Sequence, residues 1–284
     1  MNGPNKIIKQ RYDICVFHRF EGSEMVKLKS SFRYWYADPF IYENTDGSFY
    51  CFVEFMDNHV KKGQIAVYDS STKKFSVVIS DKCHMSFPFI FEQNNIHYMI
   101  PETSAANELR LYMSVSFPFA WRLSKTLKSG IKAVDSIIFK LGPHSILLLY
   151  NIDSRPYRLE AYRFDWQNLE IGEFIDGLDD PNKVLRPAGA IFELNGMLIL
   201  PTQKGTNSYG EDIIFNQITI GTKLEVRPID LAIAYPNIVS HYNHKHTYNV
   251  TKNYAVLDFS KLVFSPLQLV DGLPCTLRQL RKKP

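Results

Sequence analysis

Trp35-Tyr36-Ala37-Asp38-Pro39-Phe40-Ile41-Tyr42, followed by a turn and then Tyr50-Cys51-Phe52-Val53-Glu54-Phe55, is the stretch on which the fold turns. Two runs rich in aromatic and β-branched residues flank a polar turn, so the stretch reads as a β-hairpin. Asp38 opens its first strand and Glu54 closes its second. The same layout returns at 86–91 with 97–102, at 133–139 with 146–151, at 186–192 with 197–203, and more weakly at 246–250 with 254–258. Aligned on the first strand, the anchors are Asp38, Phe87, Asp135, Ala188 and Thr247, separated by 49, 48, 53 and 59 residues.

A period near fifty with four short strands per unit is the mark of a propeller blade. The expected fold is therefore all-β: one five-bladed β-propeller with four-stranded antiparallel blades across residues 1–284. Blades open near 35, 84, 132, 185 and 244. A strand within residues 1–30 is expected to complete the fifth blade, because an unclosed ring would leave an edge exposed. Third and fourth strands are expected at 63–68 and 74–79, 108–113 and 121–127, and 212–218 and 224–228. The third blade shows a third strand at 159–164 and then reads as loop-rich. No long stripe of period 3.6 occurs, so little helix is expected.

Composition narrows the function classes. The chain of 284 residues is 45% hydrophobic and 14% aromatic, with a net charge of +4. That charge, without a basic stripe, argues against nucleic acid as a partner. The four cysteines (Cys15, Cys51, Cys83 and Cys275) lack the CxxC spacing of a zinc site, and Cys51 reads as a buried thiol. The first residues have no apolar core of signal-peptide type, and no apolar run reaches membrane-spanning length. Cytoplasmic residence is the expectation, with no metal or other cofactor. The basic tail at 275–284 offers contact with an anionic membrane surface.

The second strands end in Glu54, Glu102, Asn151, Gln203 and Asp258, all polar. On successive blades these positions ring the central axis, where a site would sit. Pro39 follows Asp38 and Pro101 precedes Glu102, so both carboxylates leave a restricted backbone. Asp135 stands among apolar residues, which would raise its pKa if the site is dry. Arg186 can pair with carboxylates or clamp a phosphate, and Gln203 can serve hydroxyls. His246 could face a ligand or be a satisfied core histidine. His241 and His244 beside it lack a clear metal-binding spacing. Trp35, Tyr36 and Tyr209 could stack on sugar rings, and carboxylates with unlike pKa values are what glycosidic chemistry uses. Each of these residues also fits a plain structural role, as a strand-end cap or as packing between blades.

In this order, WYADPF, FVEF, SFPFIFE, YMIPETS, AVDS, RPAG and HTYN resemble the N-terminal propeller domain of plant glucosamine inositolphosphorylceramide transferases and its bacterial relatives. The resemblance runs from about Trp35 to Asp258, and PETS and RPAG are its more specific motifs. That domain in turn looks like the five-bladed fold of family-43 glycoside hydrolases. This implies Asp38 as base and Asp135 as the acid that tunes pKa. The proton-donating Glu has no clean match. Glu102 is the nearest, but it lies in blade two, before Asp135. The resemblance implies a glycosyltransferase of bacterial surface-polysaccharide assembly. Its partners are a nucleotide sugar or other activated sugar and a glycan or glycolipid acceptor. Asp38, Glu102 and Asp135 are the catalytic candidates. Trp35, Glu54, Arg186, Gln203, Tyr209 and His246 are the substrate-binding ones. A glycoside hydrolase and a non-catalytic glycan-binding propeller stand beside that reading as alternatives.

Overall fold

The computed structural model describes residues 8–31, 33–206, 210–240, 242 and 244–264. Two N-terminal strands, β1 (Ile8–His18) and β2 (Glu24–Leu28), are held for the end of the ring. Blade one is β3 (Tyr34–Glu43), β4 (Phe49–Asp57), β5 (Lys62–Asp69) and β6 (Lys74–Ile79). Blade two is β7 (Ser86–Gln93), β8 (Ile96–Glu102), β9 (Glu108–Ser116) and β10 (Ala120–Ser129). Blade three is β11 (Ala133–Leu141), β12 (His144–Asn151), β13 (Tyr157–Asp165) and β14 (Glu170–Asp180). Blade four is β15 (Phe192–Leu194), β16 (Met197–Lys204), β17 (Asp212–Ile220) and β18 (Leu224–Pro228). Blade five takes β19 (His244–Val250) and β20 (Tyr254–Phe264), then β1 and β2, in the order β19-β20-β1-β2. The result is a five-bladed β-propeller, as the repeat implies.

The ring closes through β1 and β20. Their antiparallel ladder runs the full length of both, from Ile8 opposite Phe264 to His18 opposite Tyr254. The N-terminal segment thus supplies two strands where one was expected. The described helix is limited to the single turns Ser104–Ala106 and Asn237–Ser240. No helix among the described residues is long and apolar enough to cross a membrane.

Two expectations about strands fail. The loop-rich end of blade three is the eleven-residue strand β14, paired with β13 through two register shifts. Asp176-Gly177 resembles a turn in sequence, but both residues pair in the ladder, opposite Ala161 and Glu160, and the first register shift falls just before them at Ile175. Arg158 lies so close across Gly177 that a Cβ there would meet its Nε at 2.4 Å. In the first strand of blade four only Phe192–Leu194 forms a ladder, and 186–191 touches β16 by one bridge, Pro187 opposite Thr202. Pro187 has no N–H to give, and Gly189 at φ 151° leaves the strand conformation.

Apolar contacts fill the wedges between blades. Phe52, Ile65 and Val67 of blade one meet Met85, Met99 and Tyr112 of blade two. Phe40 meets Phe87 edge-on at 4.8 Å. Cys15 and Cys51 are buried in such layers, and burial pushes both thiols up, Cys15 to about 12. These layers fix the blades against one another, so side chains at the ends of the inner strands meet at set distances.

Candidate active site

The inner strands of the first three blades break at the same place. Asp38, Phe87 and Asp135 have φ of 51°, 45° and 47°. Each falls in a register shift, between Ala37 and Phe40, Ser86 and Phe89, and Val134 and Ile137. A left-handed residue without glycine costs about 1–2 kcal/mol, so three in register mark a built feature. At the break the N–H groups of Asp38 and Phe87 leave their own ladders and donate to a carboxylate of the preceding blade. Blade five carries the same shift between Lys245 and Tyr248.

One side of the ring uses these groups to join blades. Asp258 of β20 accepts the N–H of Asp38 at 2.9 Å with Oδ2 and that of Thr247 at 2.6 Å with Oδ1. Asp38 in turn accepts the N–H of Phe87 at 3.2 Å and the Thr247 hydroxyl at 3.3 Å. Nδ1 of His246 lies 3.0 Å from Asp38 and 3.3 Å from Asp258. All four residues are buried. Burial pushes the Asp38 carboxyl up, but His246, Arg186 and the Phe87 N–H outweigh it and hold the group below the usual carboxylate range. Asp38, His246 and Asp258 also bring one ligand-type atom each within 4.8 Å of one another. Hydrogen bonds and the imidazole already engage those atoms.

The other side opens at the mouth. Arg186 forks onto Asp135, with Nη2 3.1 Å from Oδ1 and Nε on Oδ2. The same Nη2 is 3.4 Å from Oε2 of Glu102, whose Oε1 accepts the hydroxyl of Ser104 at 2.7 Å. Gln203 donates to Asp135 at 2.9 Å and to the carbonyl of Pro187 at 3.2 Å. Burial pushes Asp135 up to about 7. Arg186 opposes that rise, while Glu102 and Asp38 add to it. Beside this cluster lies a cavity of about 290 Å³ lined by Tyr150, Tyr157, Lys183, Arg186 and Gln203 among others. Its wall is fixed by the buried Asp180, which accepts from the Tyr150 hydroxyl at 2.8 Å and from the N–H of Val184 and Leu185. Lys183 and Arg155 both lie over the Tyr157 ring, at 5.9 and 4.9 Å from its centroid.

Glu54, the ring residue of blade one, is buried beside His84, whose Nε2 stands 3.2 Å from Oε1. Burial pushes Glu54 up to about 7. The His84 hydrogen bond opposes this, and the charges of Asp38 and Glu102 reinforce it.

The candidates thus divide. Asp135, Glu102, Arg186 and Gln203 form one bonded cluster at the cavity, and Asp38 and Glu54 reach it electrostatically. His246 is a buried partner of Asp38 and takes no place on the cavity wall. Trp35 is partly buried 6.3 Å from Tyr12, and Tyr36 stacks on Phe75 at 4.4 Å as packing within blade one. Asn151 leaves the ring and bonds Glu160 at 3.0 Å. Tyr209, His241, Cys275 and the basic tail at 275–284 lie outside the described residues. His84, Lys183 and Tyr157 stand in connections or at a strand start, outside the repeat, so the repeat does not point to them. Asp258 and Thr247 did carry a signal, as ring end and anchor of the weakest copy.

The family model described as "Glucosamine inositolphosphorylceramide transferase 1, N-terminal" matches residues 23–264. The protein of that name from Arabidopsis thaliana is 34% identical over 206 residues, covering 69% of this chain and 27% of its own length. Its counterpart from Oryza sativa subsp. indica is 29% identical over 213 residues, covering 69% and 28%. The chain therefore spans less than a third of the relatives it matches. Among solved structures, a thermostable family-43 glycoside hydrolase superposes with a TM-score of 0.57 at 11% identity, over 81% of this chain and 89% of that one. An α-L-arabinofuranosidase from Clostridium thermocellum gives 0.55 at 13%, over 76% and 78%. At such identities the likeness shows the propeller fold.

Proposed function

The chain belongs to the family of the glucosamine inositolphosphorylceramide transferase 1 N-terminal domain, and from that premise we propose that it is a carbohydrate-active enzyme, transferring sugar from a nucleotide-sugar donor to a hydroxyl of a glycan or glycolipid acceptor. The observation that carries this is the cavity beside Arg186. Cations at its lip and floor suit a phosphate leaving group, and the carboxylates of Glu102 and Asp135 beside them suit sugar hydroxyls. Charge that develops on the departing phosphate falls where Lys183 and Arg186 already stand. The acceptor hydroxyl gives its proton to a carboxylate of the ring. The names of the plant relatives speak of transfer to a phosphorylated sphingolipid, which fits an acceptor that carries hydroxyls near a phosphate.

Hydrolysis is the weaker reading on one observation. At the anchor position of blade four, equivalent to Asp38 and Asp135, stands Ala188. A Cβ at the next residue, Gly189, would meet the carbonyl oxygen of Tyr248 at 2.1 Å. The anchor itself is alanine and not an acid, and Glu102 is held by Arg186 and Ser104.

The test is a thermal-shift screen of the whole chain against UDP-, GDP- and CMP-sugars and free glycans, since a ligand that binds the folded state raises Tm. The expected result is a saturable shift with one nucleotide class that disappears in Arg186→Ala. A shift with free glycans alone would move the assignment to hydrolysis or plain binding.

A further inference from the structure

Of the candidate acids Asp38, Asp135, Glu102 and Glu54, three are already engaged on both oxygens. Asp38 accepts from Phe87, Thr247 and His246. Asp135 is held by Arg186 and Gln203. Glu102 gives one oxygen to Arg186 and the other to Ser104. Glu54 differs: among the described residues its carboxylate has one partner, the imidazole of His84, on Oε1.

His84 comes from the connection between β6 and β7. Its Nδ1 accepts the N–H of Gly63 at 3.0 Å. That bond leaves Nε2 as the N–H that faces Glu54, so the tautomer is fixed by the backbone. Gly63 has to be glycine, for a Cβ there would lie 2.5 Å from the carbonyl oxygen of Met85, 2.7 Å from Cε1 of His84 and 2.9 Å from Oε1 of Glu54. The His84 side chain is 39% exposed and that of Glu54 is 7%. The His84 end of the pair therefore reaches solvent, and the buried Glu54 end stands within electrostatic reach of Asp38 and Glu102. A carboxylate with one oxygen oriented and the other uncommitted is what a proton acceptor needs.

We propose that Glu54, oriented by His84, is the base that takes the proton of the acceptor hydroxyl. This rests on the transferase reading above. The hydroxyl proton moves to the free oxygen of Glu54. The acceptor oxygen bonds to the anomeric carbon of the donor as the bond from that carbon to the phosphate oxygen breaks, and its electron pair leaves with the phosphate. Glu54 then returns the proton to solvent. The groups facing Glu54 are His84, Asp38 and Glu102, and together with burial they put its titration near the working pH of a base. His84 is a positioning residue in this scheme.

The test measures nucleotide release from UDP-, GDP- and CMP-sugars by the whole chain, with and without acceptor glycans, alongside the Tm shift each donor produces. Glu54→Gln should keep the wild-type Tm shift and lose turnover at least 100-fold. His84→Ala should move the acid limb of the kcat/KM pH profile upward, because the N–H that favours the Glu54 carboxylate is gone. His84→Asn, which keeps a donor, should move it less. Wild-type turnover with Glu54→Gln fully active overturns the base assignment alone. Wild type that neither binds nor turns over any nucleotide sugar overturns the transferase reading and the base with it. An unshifted limb in His84→Ala removes His84 from the scheme.

Discussion

The half of the ring gathered around Asp258 and the half gathered around Arg186 carry the same kinds of group and use them differently. In the first, Asp38, Asp258, Thr247 and His246 are buried and bonded to one another and to backbone N–H groups of three blades. In the second, Asp135 and Glu102 are bonded to Arg186, which itself lines a cavity, and Glu54 keeps an oxygen in reserve. A polar ring on a propeller axis is thus a fastening on one side and a border to an open cavity on the other. The difference lies in how many lone pairs the fold itself consumes.

The sharpest way to break this comparison is to cut the fastening. Asp258→Ala leaves the N–H groups of Asp38 and Thr247 and the His246 imidazole without their carboxylate. Removing one member of a buried charged network costs about 3–5 kcal/mol, so urea unfolding should show a loss of that order. A loss under about 1 kcal/mol would mean that the two halves do not differ. The fastening should also be acid-sensitive. Asp38 is held below the usual carboxylate range, so the stability it supplies is complete above about pH 4 and falls away as pH drops through its lowered value.

Arg186→Ala comes next. It strips the cation from Asp135, but Arg186 is partly exposed and water can enter, so the cost should be lower, about 2–3 kcal/mol. The double variant Arg186→Ala with Asp135→Asn should recover part of that loss in the same unfolding assay. Additive losses would show that the fork onto Asp135 does not stabilise the fold.

The blades were legible because hairpins repeat: the anchors Asp38, Phe87 and Asp135 that align in sequence share one backbone conformation. Strand β14 was not, because Asp176-Gly177 looks like a turn until Arg158 is laid across it. The carboxylates were visible as repeat positions. What each one does was not, since that depends on partners brought by other blades. Asp38 is defined by His246 and Asp258, more than two hundred residues away in the chain. His84 carried no signal, because its role comes from where one connection crosses Gly63.

Glu54→Gln sharpens the comparison from the open side and has the opposite sign. Glu54 titrates near 7 in the folded chain against the ordinary 4.5. Between those values the folded state holds a proton that the unfolded state has released, so stability falls as pH rises through that window. Glutamine removes this penalty. The variant should match wild type near pH 4 and exceed it at pH 8, by on the order of 2 kcal/mol. Equal stability at both pH values would show that Glu54 is not a strained acid.

The smallest effect on the fold is expected at Lys183. Its ammonium lies over the Tyr157 ring at 5.9 Å, its backbone bonds to Asp180 and Gly205 do not depend on the side chain, and it is solvent-exposed. Lys183→Ala should therefore change unfolding stability by no more than about 0.5 kcal/mol. The same lysine stands at the lip of the cavity, where the phosphate of a nucleotide sugar would pass. Losing a charge-assisted contact of about 1–2 kcal/mol should weaken donor binding roughly tenfold, read as a higher half-saturating concentration in the thermal-shift assay. A fold left intact with weakened binding is the opposite of what Asp258→Ala predicts. If Lys183→Ala binds the donor as wild type does, the phosphate does not lie over Tyr157, and the cavity is not where the two halves differ in use.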